Sequence, residues 1–280
     1  MPDSSGGDDF GDTPNPGDCG DTPNPGPPTS CPEITVVLPA HNEAGLLDEA
    51  VAEVAEGLRN RGRRFEIVVV ENGSTDGTAE IARRLALHVA ELRVLSLPEA
   101  DYGRALRAGL LAASGEVVVN FDVDWCDLDF LDRAVPLVQP ADGPAVVVGS
   151  KRTTGSDDTR SPARRLVTFV FSTALRVGFG LHVSDTHGVK ALRRAPLAPL
   201  AERCRFGQDL FDTELILRAE RAGLGSGEIP VEVVEKRPAR SSILRRVPRT
   251  VLGLGRLRVA FWREAVEGRV PWRRGRRVLR

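Results

Sequence analysis

Two carboxylates one residue apart, Asp122 and Asp124, close the stretch EVVVNFDVDW at residues 116–125. The three valines in a row and the phenylalanine that precede the pair read as a short buried strand, and an open α/β sheet presents its ligands at the carboxyl ends of its strands. Carboxylates placed there can share one divalent cation. Such oxygen donors suit Mg²⁺ or Mn²⁺, which in turn hold the oxygens of a diphosphate. The same pair also fits a polar strand-to-loop junction with no ligand, so the choice between the two rests on the rest of the chain.

The elements that must position this pair alternate. A strand is expected at 33–38, followed by Pro39, Ala40, His41, Asn42 and Glu43. Leu47, Val51, Val54 and Leu58 then fall on one face of a helix, with Asn42 or Glu43 at its N-terminal cap position. A second strand at 65–70 runs into the turn-rich ENGSTDGT at 71–78, with a helix over 78–88. Strands at 92–97 and 117–121, helices at 102–113 and 130–138, and a strand at 145–149 ending in Ser150, Lys151 and Arg152 complete the first half. Strand and helix in this order predict an α/β fold with a mostly parallel sheet and helices on both faces. No GxGxxG follows the first strand, which argues against a dinucleotide-binding domain.

Beyond residue 150 the alternation weakens. A polar loop at 153–161 precedes an amphipathic or buried helix at 162–179. The turn Asp185-Thr186-His187-Gly188 leads into 189–192, a helix over 208–222 carries Asp209, Asp212 and Glu214, and a strand is expected at 227–234. His41, His182 and His187 show neither metal-ligand spacing nor a triad pattern.

With 280 residues and 41% hydrophobic content, the chain can bury the core of one large α/β domain with appendages. The net charge of −1 hides an asymmetry: no Lys or Arg precedes Arg59, whereas arginines recur after Ala239 against only Glu264 and Glu267. Residues 1–32 repeat DTPNPG in a Pro/Gly/Asp background and are expected to be disordered. The expected organisation is that tail, a domain over 33–240, and a basic amphipathic segment over 241–280. The cysteines Cys19, Cys31, Cys126 and Cys204 form no CxxC pair and read as free thiols of a reducing cytosol. No signal peptide is expected, and the longest apolar run, 166–181, is broken by Arg176. The localisation expected is therefore cytoplasmic, soluble or peripheral on the inner face of a membrane.

Four stretches, VVLPAHNEA (36–44), EIVVVENGSTDGT (66–78), VVVNFDVDW (117–125) and SDTHGVKALRR (184–194), together resemble the family-2 glycosyltransferases of the GT-A fold, in particular the dolichyl- or polyprenyl-phosphate mannosyl- and glucosyltransferases. The resemblance runs over roughly residues 33–234. It implies that Pro39, Ala40 and Glu43 line the nucleotide pocket, with Glu71 where the family has a base-reading aspartate. It also implies that Asp122 and Asp124 are the DxD pair holding metal and sugar diphosphate. Lys151 and Arg152 fall at a phosphate-binding basic position, Asp185 and Gly188 at the acceptor-side turn, and Glu214 in the acidic segment near the acceptor. Arg240 stands by a position where the family often has a lysine, here Ile243, with Arg245 and Arg246 able to compensate.

The function expected on this resemblance is metal-dependent, inverting hexosyl transfer from a GDP- or UDP-sugar, with Mg²⁺ or Mn²⁺, most readily to a polyprenyl phosphate. A phosphate acceptor is already anionic and needs only cations to hold it, whereas a hydroxyl acceptor needs a base, for which Asp212 or Glu214 is the candidate, Glu214 being favoured by the resemblance. A soluble hydroxyl acceptor, or a non-catalytic protein that binds sugar nucleotides or anionic surfaces, remains the alternative. In the basic segment, Val251, Leu252, Leu254, Leu257, Val259, Phe261 and Trp262 interleave with Arg249, Arg256, Arg258 and Arg263. That pattern suits either an anionic membrane surface or packing on the domain, and no nucleic-acid partner is expected.

Overall fold

The structure, a computed structural model, describes residues 31–150, 186, 188–207, 210–231 and 243–266. The N-terminal tail, Lys151, Arg152, the helix expected at 162–179, His182, Asp185, His187, Asp209 and Arg240 lie outside the described residues.

Seven strands form one sheet, β1 (Ile34–Ala40), β2 (Phe65–Asn72), β3 (Leu92–Leu97), β4 (Val117–Asn120), β5 (Val146–Ser150), β6 (Lys190–Arg193) and β7 (Ser226–Pro230), in the order β3-β2-β1-β4-β6-β5-β7. The pairs β3–β2, β2–β1, β1–β4 and β5–β7 are parallel, and β6 alone runs antiparallel to its neighbours β4 and β5. The mostly parallel sheet is as expected. Reversed β6 is the new feature, and it explains why the alternation fades after residue 150: the chain re-enters the sheet from the opposite end. At its entrance Gly188 passes so close to β5 that a Cβ there would sit 2.5 Å from the Gly149 carbonyl oxygen.

Period-two alternation along the strands splits the core. Val36, Leu38, Ile67, Val69, Val117 and Val119 face one side, where α1 (Leu47–Asn60), α2 (Thr78–Ala86) and α4 (Leu128–Val138) pack. Val37, Val68, Val70, Val118, Val146 and Val148 face the other. That second side is covered by α3 (Tyr102–Ala112), α5 (Arg194–Glu202), α6 (Phe211–Arg221) and α7 (Ile243–Val266). Both faces are thus closed, as parallel strands of continuous valine require. The described part of the basic segment forms one helix, α7, which packs Leu254, Leu257 and Phe261 into the second core. Gly253 makes the approach possible, since a Cβ there would collide with Leu210 Cδ1.

The cap expected for α1 does not form. The helix begins at Leu47 without a side-chain cap, and the Glu43 carbonyl instead accepts from the Leu46 and Leu47 N–H groups, both at 3.0 Å. The side chain of Asn42 is engaged across the loop instead of along the helix.

Candidate active site

The strands β2, β1 and β4 are neighbours and parallel, so the loops that follow them leave from the same edge of the sheet, at the carboxyl ends of its strands. Pro39 and Ala40 end β1 in the buried sheet, with Ala40 beside Glu71 of β2. The two loops are bolted together by short-range polar contacts. His41 Nδ1 meets the Asn72 carbonyl at 2.9 Å, and the Thr75 N–H donates to Asn42 Oδ1 at 2.8 Å. The Glu43 N–H donates to Thr78 Oγ1 at 2.8 Å, and the Ala44 N–H to Asp76 Oδ2 at 3.2 Å. Asn42 reaches its place with φ of 55°, a left-handed conformation that asparagine tolerates better than most side chains. The hydroxyl of Thr78 beside Asp76 holds that carboxyl below the usual carboxylate range.

Glu71 points into the loop that follows it, and its Oε1 accepts from the Ser74 N–H at 2.6 Å. Next to it, Asn72 ties three segments together: its Nδ2 donates to the Ala40 carbonyl at 3.3 Å, and its Oδ1 accepts from the Asp101 N–H at 3.0 Å. Asp101 in turn caps α3 through the Arg104 N–H. Of the residues expected around a nucleotide, Pro39, Ala40 and Glu71 thus stand at the ends of β1 and β2, and Glu43 on the first of the two interlocked loops that follow them.

Asp122 and Asp124 sit in a tight turn one residue beyond β4, where the Trp125 N–H donates to the Asp122 carbonyl at 2.9 Å. Tyr102, the first residue of α3, donates its hydroxyl to Asp122 Oδ1 at 2.9 Å. Burial pushes the Asp122 carboxyl above the ordinary range, with Asp124 and Asp212 adding to the shift and the Tyr102 hydroxyl and Lys190 opposing it. The Tyr102 phenol is driven well up, by burial first and then by Asp122. Two carboxylates offering hard oxygens fit a divalent cation. Among the described residues no cluster of three or more His, Cys, Asp or Glu accompanies them. A cation there would take its remaining ligands from water and substrate phosphate, as Mg²⁺ with one or two carboxylates does.

On the far side of β4 the chain has buried a lysine. Lys190, opposite Asn120 in the β4–β6 register, pairs with Asp212 Oδ2 at 3.0 Å and donates to the Gly188 carbonyl at 2.6 Å. Asp212 is 4% exposed, and its Oδ1, like Asn120 Oδ1, is buried with no hydrogen-bond partner. Beside it the hydroxyls of Thr186 and Thr213 meet at 3.0 Å, which ties α6 to Thr186.

Glu214, favoured on the resemblance as the acid near the acceptor, is placed elsewhere. It is 0% exposed, Oε2 accepts from the Arg205 and Phe206 N–H groups at 2.9 and 3.0 Å, and Oε1 accepts from Arg218 Nε and Nη2 at 2.9 and 2.7 Å. The pairing with Arg218 four residues on is the one its spacing allows, formed in the interior and not on the surface. Arg218 continues to Glu264 of α7 with two bonds of 3.0 Å, so this network fastens the C-terminal helix. The α6 acid whose charge reaches Asp122 is Asp212.

Tyr102, Asn120 and Lys190 were not singled out by sequence reasoning. The only signal for Tyr102 was that the chain has no other tyrosine. Lys190 lay within SDTHGVKALRR, but a lysine in an apolar tetrad gives no hint of a partner twenty-two residues away until β6 is known to run antiparallel beside α6.

The family model described as Glycosyl transferase family 2 matches residues 35–199. Glycosyltransferase AglD of Haloferax volcanii is 30% identical over 247 residues, 86% of this chain and 39% of that protein. A dolichyl-phosphate beta-glucosyltransferase of Trichomonas vaginalis is 30% identical over 212 residues, 71% of this chain and 63% of its own. The chain thus spans less than two thirds of these curated relatives. Among solved structures, a mannosyltransferase from Pyrobaculum calidifontis in complex with GDP-Man and Mn²⁺ superposes with a TM-score of 0.54 at 28% identity, covering 79% of this chain and 61% of that one. Glucosyl-3-phosphoglycerate synthase from Mycobacterium tuberculosis, with Mn²⁺, UDP and phosphoglyceric acid, gives 0.57 at 26% identity, covering 78% and 74%.

Proposed function

The chain belongs to glycosyl transferase family 2, and from that premise we propose that it transfers a hexose from a GDP- or UDP-sugar to a polyprenyl phosphate, with inversion, using Mg²⁺ or Mn²⁺ at Asp122 and Asp124. The observation that carries the reading is the Asp122–Asp124 turn at the carboxyl end of β4, held by Tyr102 beside the interlocked loops of β1 and β2. The metal and nucleotides named for the two solved neighbours support the donor side, and the dolichyl-phosphate relative supports the lipid acceptor. The meeting with a lipid acceptor is placed peripherally, at the inner face of a membrane; no helix among the described residues is long and apolar enough to cross one.

In the transfer an acceptor oxygen bonds to the anomeric carbon as the bond from that carbon to the diphosphate breaks, and the nucleoside diphosphate leaves with the electron pair. A bound divalent cation supplies neutralisation of that leaving group. Glu71, with Pro39, Ala40 and Glu43, seats the nucleoside. Tyr102 orients the Asp122 carboxylate through the hydrogen bond to Oδ1, and Lys151 and Arg152 add cationic charge where the leaving group forms. Asp185 and Arg240 are assigned to the acceptor side.

One observation favours a second reading, a hydroxyl acceptor: Asp212 Oδ1 is a buried carboxylate oxygen with no donor, near Asp122, suited to take a proton from an alcohol. The phosphoglyceric acid in the complex of the mycobacterial glucosyl-3-phosphoglycerate synthase is in keeping with it. In this second reading the base role belongs to Asp212 and not to Glu214, whose oxygens are taken up by Arg205, Phe206 and Arg218.

The test is a thermal-shift series with GDP- and UDP-sugars with and without Mn²⁺, since a ligand that binds only the native state raises its stability. The expected result is a metal-dependent shift with one nucleotide series that is absent in Asp124→Ala. A shift of equal size in that variant removes Asp124 from the site. Transfer to polyprenyl phosphate and to phosphoglyceric acid, compared side by side, then separates the two acceptors.

A further inference from the structure

Helix α7 carries two apolar stripes, only one of which the domain uses. Leu254, Leu257 and Phe261 are buried in the second core, and Glu264 on the same side bonds Arg218. Arg218 and Arg221 lie over the Phe261 ring at 4.9 and 3.7 Å, so this face is fixed by packing and by charge together. The other stripe is open. Leu252, Val259, Trp262 and Val266 are 67%, 48%, 62% and 68% exposed. At about 100° per residue these four positions fall within an arc of about 80° on the side away from the core. They are four of the six large hydrophobic side chains exposed among the described residues.

The charges around this stripe are of one sign. Arg256 and Arg263 flank one edge and Arg258 the other, all exposed. The only acid between 252 and 266 is Glu264, and it faces inward. We infer that the outer face of α7 is a membrane-docking surface, which lies flat on an anionic bilayer with Leu252, Val259, Trp262 and Val266 in the acyl boundary and the arginines on lipid phosphates. An in-plane helix has this composition: an apolar arc edged by basic residues, with a tryptophan whose ring sits at headgroup depth. A second copy of the chain fits less well. A twofold contact would bring the arginines of one copy onto those of the other, and four side chains cover far less than the roughly 800 Å² per partner of a stable interface.

The inference deepens the lipid-acceptor reading, because a docked α7 keeps the domain at the surface where a polyprenyl phosphate resides. It also resolves the expectation for the basic segment, whose two alternatives occupy opposite faces of the same helix.

The experiment uses the full chain and vesicles of phosphatidylcholine and phosphatidylglycerol in equal parts, without polyprenyl phosphate, so that sugar transfer plays no part in it. In flotation the protein is expected to rise with these vesicles, less so in high salt, and hardly at all with phosphatidylcholine alone. The pair Val259→Asn and Trp262→Ser should lower the partition coefficient at least about tenfold, through lost apolar burial. Arg256→Glu and Arg263→Glu should lower it about fivefold each. Leu87→Ser, which removes a still more exposed leucine elsewhere, should change nothing. None of these side chains is buried, so unchanged thermal unfolding reports that each variant is folded. Equal flotation of the Val259→Asn/Trp262→Ser variant overturns the assignment, as does a protein that ignores the vesicles and loses a dimer in light scattering when the stripe is made polar. A metal-dependent shift with sugar nucleotide that persists while flotation fails leaves the transferase reading standing and removes the docking face alone.

Discussion

Tyr102 Oη donates to Asp122 Oδ1 at 2.9 Å, so the first residue of α3 orients a carboxylate of the β4 turn twenty residues further along the chain. The bond is made to a charged acceptor in a partly buried position, where such bonds contribute about 1.5–3 kcal/mol. Tyr102→Phe should therefore weaken Mn²⁺-dependent donor binding roughly ten- to hundredfold, while nucleotide binding measured without metal changes little. Titration of the variant with the sugar nucleotide in both conditions checks it; equal losses in the two would make the tyrosine a packing residue and no more.

Lys190 and Asp212 form a buried ion pair whose second carboxylate oxygen is unpartnered. Removing one partner of such a pair leaves a charge in the interior and costs about 3–5 kcal/mol, whereas replacing both with apolar residues is often neutral. Lys190→Met should lower the Tm markedly, and Lys190→Met with Asp212→Leu should recover most of the loss. The conservative Asp212→Asn variant separates the acceptors. With a phosphate acceptor its turnover stays within a fewfold of the parent, and with a hydroxyl acceptor it falls by about 10²–10⁴, the usual contribution of a general base.

The half of the fold before residue 150 was legible because β1, β2, β4 and β5 carry β-branched runs and each helix keeps one apolar face, so Val36–Leu38, Val68–Val70 and Val117–Val119 declare a doubly covered sheet without help from partners. Asp122 and Asp124 were legible for the same reason, since they interrupt such a run. Lys190 was not, because its burial follows from the reversed direction of β6 and the approach of α6, both long-range facts. Glu214 shows the opposite limit: its motif drew attention, yet its neighbours Arg205, Phe206 and Arg218 commit every oxygen to structure. The interleaving of apolar residues with arginines over 249–263 was visible in the sequence, but which of the apolar residues meet the core depended on Leu210 being there to receive Gly253, with Leu254, Leu257 and Phe261 in the same cluster.

Because Glu214 is committed in this way, Glu214→Ala should act on stability and not on chemistry. Loss of the carboxylate leaves two N–H donors and part of Arg218 without their acceptor, at a cost of about 3–5 kcal/mol and a Tm lowered by about 10 °C. Turnover per folded molecule, measured well below the variant's Tm, should remain within a fewfold of the parent. A fall of a hundredfold or more with an unchanged Michaelis constant and an unchanged Tm would restore Glu214 to the chemistry.

The docking of α7 should itself depend on pH, through Glu264. Burial pushes its carboxyl up, but the hydrogen bonds and charge of Arg218, with Arg205 and Arg203 adding to them, outweigh burial and hold it below the ordinary glutamate value. An acid whose folded pKa lies below its unfolded one binds fewer protons in the folded state, so it stabilises the fold fully above the unfolded pKa of about 4.3. That contribution is lost as pH falls from there through the lowered folded pKa. Glu264→Gln abolishes the titration while keeping the shape. The stability gap between parent and variant, read from urea unfolding with Trp262 fluorescence as the local probe, should be constant from neutral pH down to about 5 and shrink below it. Since the outer stripe of α7 presents a fixed face only while Phe261 and Glu264 hold the inner one, vesicle flotation of Glu264→Gln at neutral pH should weaken in proportion to the helix's loss of docking. Flotation that is unaffected while the helix detaches would mean that α7 binds lipid without the domain's support.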